Sequence, residues 1–99
     1  MDVVSAERDD QVVALRTRGR SYAGIARELG FARTVEASEA FNRAVRLRPD
    51  DERSELRGQE EGRLDALAEK TRRHPDLSTG DVEKRLQSIE RLRARLNKD

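Results

Sequence analysis

Ser21 and Gly30 bracket the segment that most constrains this chain, because each punctuates a helix in a way that few residues can. A serine hydroxyl accepts a hydrogen bond from an otherwise unpaired backbone N–H at a helix start. Between the two residues, Ile25, Ala26 and Leu29 fall on one helical face. Gly30 then suits the left-handed exit of a short helix, and Phe31 offers an apolar anchor beneath the turn. A second helix is expected next. Its buried stripe is Ala37, Ala40, Phe41, Ala44 and Val45, with Glu36, Ser38, Glu39, Asn42, Arg43 and Arg46 facing outward. Val12 and Leu15 supply the apolar face of an earlier helix that ends near Gly19. The order helix, helix, turn, helix reads as a helix-turn-helix on a shared three-helix core, and Ala26 is the small residue that a close, steep crossing requires.

The residues DQVVALRTRGRSYAGIARELGF resemble the helix-turn-helix of many bacterial DNA-binding proteins, in the order leucine, glycine, serine-aromatic, isoleucine-alanine, leucine-glycine. From Gln11 to Leu96 the chain also resembles a narrower group, the short actinobacterial helix-turn-helix proteins. In that group LGF-A is followed by an alanine-rich recognition helix, an acidic link and a RLDAL-containing helical hairpin. Some of its members are described as mycobacterial nucleoid-associated proteins, and a more distant branch resembles phage small terminase subunits. The resemblance implies an all-α fold and binding of double-stranded DNA. FARTVEA is slightly long for the usual turn, which leaves the first residue of the recognition helix unfixed by a few positions.

With 34% of residues hydrophobic and 41% charged, few side chains are left for burial. Tyr22, Phe31 and Phe41 are the three aromatics, and all lie in the helix-turn-helix, where the densest packing is expected. Low hydrophobicity favours disorder, but a net charge of only +1 and clear helical periodicity favour a folded chain that gains burial by pairing. The absence of cysteine excludes disulfides, iron–sulfur clusters and thiolate zinc sites. No apolar run has the length of a membrane span or a signal peptide core, and the start MDVVSAERDD is acidic, so a cytoplasmic location, on the nucleoid, is expected. Eighteen arginines against three lysines suit phosphate contact, although a GC-rich genome produces the same bias.

Along the chain, Met1 to Glu7 reads as a frayed start, with Asp9 or Asp10 at the N-terminus of the first helix. Arg16, Arg18 and Arg20 cluster at its far end, either beside a phosphate backbone or as a solvated helix end. Pro49 stops the second helix of the motif near Arg48. The boundary there separates residues 1–49, a DNA-binding domain with nine basic against seven acidic residues, from residues 50–99, a dimerising hairpin with twelve against thirteen. Asp50 is the expected cap of a long polar helix to about Arg73, with a stripe at Leu56, Leu64, Leu67 and Ala68, weakened or bent at Gly58 and Gly62. His74 lies in the break that follows and reads as a loop residue. Ser78 or Thr79 caps the last helix, whose stripe is Val82, Leu86, Ile89, Leu92 and Leu96. An antiparallel hairpin covers part of that stripe. The rest is assigned to a two-fold contact with a second copy, or alternatively to packing on the chain's own helix-turn-helix.

Catalysis is not indicated, because the carboxylates alternate with arginines at helix-surface spacing, and there is neither a Walker loop nor HExxH spacing. No cofactor, metal or small-molecule substrate is implied. The preferred reading is a dimeric DNA-binding protein of nucleoid-associated or regulatory type. Arg33 and Thr34 through Ser38 would lie nearest base edges, Ser21 at a phosphate through backbone N–H groups, with Arg20 and Tyr22 beside it. Asn42, Arg43 and Arg46 would lie further along, gripping the backbone. Glu36 and Glu39 must accept from a cytosine amino group or turn away. The alternatives are a small terminase-like subunit and a helical interaction module for a basic protein.

Overall fold

The computed structural model describes residues 3–98, and their regular structure is entirely α-helical. The helices are α1 (Val3–Thr17), α2 (Tyr22–Leu29), α3 (Thr34–Arg46), α4 (Asp50–Arg72) and α5 (Thr79–Leu96). The all-α class expected from the sequence is what the chain adopts. None of these helices is long and apolar enough to cross a membrane. The chain divides into two compact units, Met1–Pro49 and Asp50–Asp99.

In the first unit, α1 and α2 end by the same device. Gly19 and Gly30 have φ of 90° and 79°, a region costly for any residue with a Cβ. The chain then turns so that Arg20 N–H reaches the Leu15 carbonyl at 3.2 Å and Phe31 N–H reaches that of Ala26 at 2.9 Å, pairing carbonyls left over at each helix end. Ser21 starts α2 by accepting from Gly24 N–H at 3.1 Å. α3 starts at Thr34, which settles the position that the length of FARTVEA left open. The carboxylate of Glu36 reaches back to accept from Arg33 N–H at 2.8 Å, the acidic half of a capping box.

α3 packs against both α1 and α2, which also touch each other. Ala37 and Ala40 are fully buried and Ala44 nearly so, with Phe41 and Val45 beside them. Val12 and Val13 of α1 and Tyr22, Ile25 and Ala26 of α2 are buried in the same unit. The Tyr22 and Phe41 rings pack edge to face, 6.1 Å apart at 70°. The start of the chain departs from expectation, since α1 is helical from Val3; Met1 and Asp2, part of the segment read as frayed, lie outside the described residues. Asp9 therefore sits inside the helix and buried, instead of at its N-terminus, because a cation from α3 meets it there.

In the second unit α4 and α5 pack antiparallel across a link that holds His74. His74 Nδ1 accepts from Asp76 N–H at 3.2 Å, a local turn contact. Ser78 caps α5 by accepting from Asp81 N–H at 3.1 Å. Arg93 ties the hairpin together through Glu61 and through Asp65 at 2.9 Å, while Asn97 donates to Glu61 at 2.8 Å. Hydrogen bonding to Asp65 raises the Arg93 pKa above the ordinary arginine value, and the Glu61 charge adds to it.

The core here is thin. Of the fourteen buried apolar residues among those described, only four, Leu64, Ala68, Ile89 and Leu96, belong to this unit. Leu67, expected in the stripe, is 46% exposed, because Leu64, Ala68 and Thr71 fix the buried line at helical spacing and Leu67 falls to its edge. Asp50 lies within the first turn of α4 instead of capping it. Gly58 and Gly62 sit in an unbroken 23-residue helix, and a Cβ on either would meet nothing within 4 Å. They admit no approaching helix, so their conformational cost has no packing return. Gly58→Ala and Gly62→Ala should each raise stability by about 0.5–1 kcal/mol, read as a higher urea midpoint for unfolding. Two unchanged midpoints would show that this part of α4 does not stay helical.

Candidate nucleic-acid interface

The residues singled out for DNA contact divide sharply by what surrounds them. Arg16 is buried at 9% exposure. Its guanidinium stacks over the Tyr22 ring at 4.0 Å from the centroid, and it donates to the Arg20 carbonyl at 3.0 Å. It closes the turn between α1 and α2 and offers no charge to a phosphate. Tyr22 is 8% exposed, held between that guanidinium and Phe41. Both were expected to contact DNA and both are buried, Tyr22 in the dense packing expected of the aromatics. Ser38 is a third correction, at 2% exposure, with its hydroxyl donating to the Val35 carbonyl at 2.8 Å. Because α3 is packed on two sides, its buried arc is wider than one stripe and takes in Ser38, whose hydroxyl is satisfied locally.

Arg43 is exposed, as expected, but its guanidinium is engaged. Its Nε and Nη2 donate to the two carboxylate oxygens of Asp9, each at 3.0 Å, a two-pronged pair joining α3 to α1. The Asp9 side chain is 11% exposed, that of Arg43 47%. Hydrogen bonding to Asp9 raises the Arg43 pKa, burial opposes the shift, and the charges of Asp9 and then Glu39 support it. This arginine is a tie between helices, with its Nε and Nη2 committed to Asp9.

The remaining positions stay accessible. Arg18, Arg20, Ser21, Arg33, Thr34 and Arg46 are exposed and Asn42 is half-buried. Arg20 pairs with Glu28 at 3.1 Å, with both side chains nearly half exposed. Such a pair is worth little in water and yields readily to a stronger anion. The Ser21 hydroxyl is occupied by its cap. Glu36 has turned away to Arg33 N–H, whereas Glu39 stands exposed.

Two features have only faint signals in the sequence. Arg8 lies over the Phe31 ring, 4.2 Å from its centroid, so the aromatic after Gly30 is covered by a cation of α1. A cleft of about 500 Å³ opens between α1 and the end of α3, where Asp10 pairs with Arg48 at 3.1 Å and Leu47 is 71% exposed. Leu47 could have been noticed as a large apolar residue just beyond the end of α3. In the hairpin, Ile89 and Leu96 are each 3% exposed. Both were assigned to a contact with a second copy, and both are already covered by α4. Val82, Leu86 and Leu92 are only half-buried.

Comparisons with protein families, with curated proteins and with solved structures found no match.

Removing the Arg43 guanidinium leaves a nearly buried carboxylate without its main partner. Arg43→Ala should therefore lower stability by about 1–3 kcal/mol, while Arg27→Ala, on an exposed position of α2, should be close to silent. Equal thermal midpoints for the two variants would show that the Asp9–Arg43 pair does not hold α1 to α3.

Proposed function

We propose that the first unit binds double-stranded DNA as a helix-turn-helix, with α3 in the major groove, and that the hairpin joins two copies. The observation that carries this reading is the two-sided character of α3. Three alanines seat one side against α1 and α2, and its N-terminus and outer face carry Arg33, Thr34, Asn42 and Arg46. A four-residue link and a left-handed Gly30 between α2 and α3 suit that motif. The contact set is then Arg18 and Arg20 on phosphates, Arg33 and Thr34 nearest the bases, and Asn42 and Arg46 along the groove. Ser21 contributes through its backbone.

The hairpin supports pairing because it covers so little of its own apolar surface. Leu67 is 46% exposed, and Val82, Leu86 and Leu92 remain half-buried. Joining two hairpins would bury these residues in a four-helix arrangement. Two-fold pairing would also hold two readers at a fixed spacing on DNA.

The sequence resemblance favours a nucleoid-associated or regulatory role over a small terminase-like one. Mass in solution separates them, since terminase small subunits form rings. The exposed Glu39 favours a second reading, an interaction module for a basic protein, because a carboxylate repels phosphates.

Titration of random and genomic duplexes at two salt concentrations tests the proposal. An Arg18 and Arg20 double alanine variant should weaken binding to every sequence and reduce the salt slope by about two units. Full affinity in that variant, still folded, would move DNA binding off this surface. Leu86→Glu with Leu92→Glu should halve the mass measured by light scattering, and a wild-type monomer would end the pairing proposal.

A further inference from the structure

We infer that Glu39 is a base-reading residue that selects a cytosine, an inference that rests on the DNA-binding reading of α3. Val35, Glu39, Asn42 and Arg46 follow one another at intervals of four, three and four along the outer side of α3, opposite the buried Ala37, Ala40, Phe41 and Ala44. Glu39 stands at the middle of that line. Its natural helix partner is Arg43, four residues on and in the favourable orientation. The Arg43 fork is committed to both oxygens of Asp9, so Glu39 acts on it only as a nearby charge. Among the described residues Glu39 has no hydrogen bond and no ion pair. The other carboxylate of this helix, Glu36, is satisfied by Arg33 N–H, leaving one acceptor without a donor where the groove floor would lie.

A carboxylate only accepts hydrogen bonds. In the major groove the cytosine N4 amino group is its matching donor; the adenine N6 amino group stands beside the N7 acceptor, which opposes a carboxylate, guanine offers acceptors alone, and phosphates repel it. Glu39 therefore weakens binding to sequences without a cytosine at that position and repays the repulsion where one is present. Asn42, half-buried on the same line, lies on the C-terminal side of this contact.

Selection of bound duplexes from a random library tests this with the full-length wild type, Glu39→Gln and Glu39→Ala, each confirmed as folded by circular dichroism. The wild type should enrich one invariant cytosine, with roughly 5- to 100-fold discrimination against the other bases, the range of a good side chain–base pair. Glu39→Ala should lose selection at that position alone and bind random duplex more tightly, while Glu39→Gln should shift it toward adenine. Binding without sequence preference, or an identical selected site for all three proteins, overturns the role of Glu39 and leaves DNA binding intact. A wild type that binds no duplex overturns both, and makes Glu39 part of a surface for a basic protein.

Discussion

Everything in the first unit depends on how closely α3 can approach its two neighbours. Ala37, Ala40 and Ala44 occupy the faces where a larger side chain would hold α1 and α2 away. Phe41 and Val45 then fill the space between the three helices, with Ile25 and Val12 entirely buried against them. Tight packing of this kind tolerates little added volume. It also explains how a chain with few aromatics makes a core, since close approach substitutes for bulk. The same constraint decides which face of α3 is available to a partner, because two of its sides are already in use.

Charge is the second organising quantity. With 41% of residues charged and a net of +1, cations and anions are closely matched in number, and which pairs form governs how much positive charge faces outward. Asp9 takes Arg43, Asp10 takes Arg48, and Tyr22 with the Arg20 carbonyl takes Arg16. These contacts join α1 to α3 and close the turn before α2. Counting arginines therefore overstates the positive surface. Arg18, Arg20, Arg33 and Arg46 are the exposed arginines on which the proposed approach to a phosphate backbone rests.

The features legible in the sequence are those with a local cause. Ser21, Ser78, Gly19 and Gly30 act on backbone groups within a few residues of themselves, so the short helices and their turns could be read directly. The apolar spacing of α5 was legible for the same reason. Long-range partnership was not. Asp9 and Arg43 are 34 positions apart, and nothing near either one indicates that an acid in the first helix would be met by a cation of the third. Ser38 was placed outward because the buried stripe of α3 was drawn too narrow, and Tyr22 was placed at the DNA by its position beside the Ser21 cap. A hydroxyl that bonds its own helix can be buried at little cost, and a tyrosine ring can lie between a guanidinium and a phenyl ring. The candidate site was thus legible as a face of α3, and only partly as a set of side chains.

The two units differ in how much of their stability is their own. The first buries ten apolar side chains and closes them with caps and a two-pronged ion pair. The hairpin buries four, and its helices are joined largely by Arg93 with Glu61 and Asp65 and by Asn97 with Glu61. Such pairs are partly exposed and contribute modestly in water, while the glycines of α4 subtract from helix formation. A hairpin so constituted would gain further stability from covering Leu67, Leu86 and Leu92. If a second copy supplies that cover, assembly and folding of the hairpin become one equilibrium, set by protein concentration. The first unit, with its own core, would keep its shape throughout, so on the proposed function the hairpin would determine how many copies act together and α3 what each of them recognises.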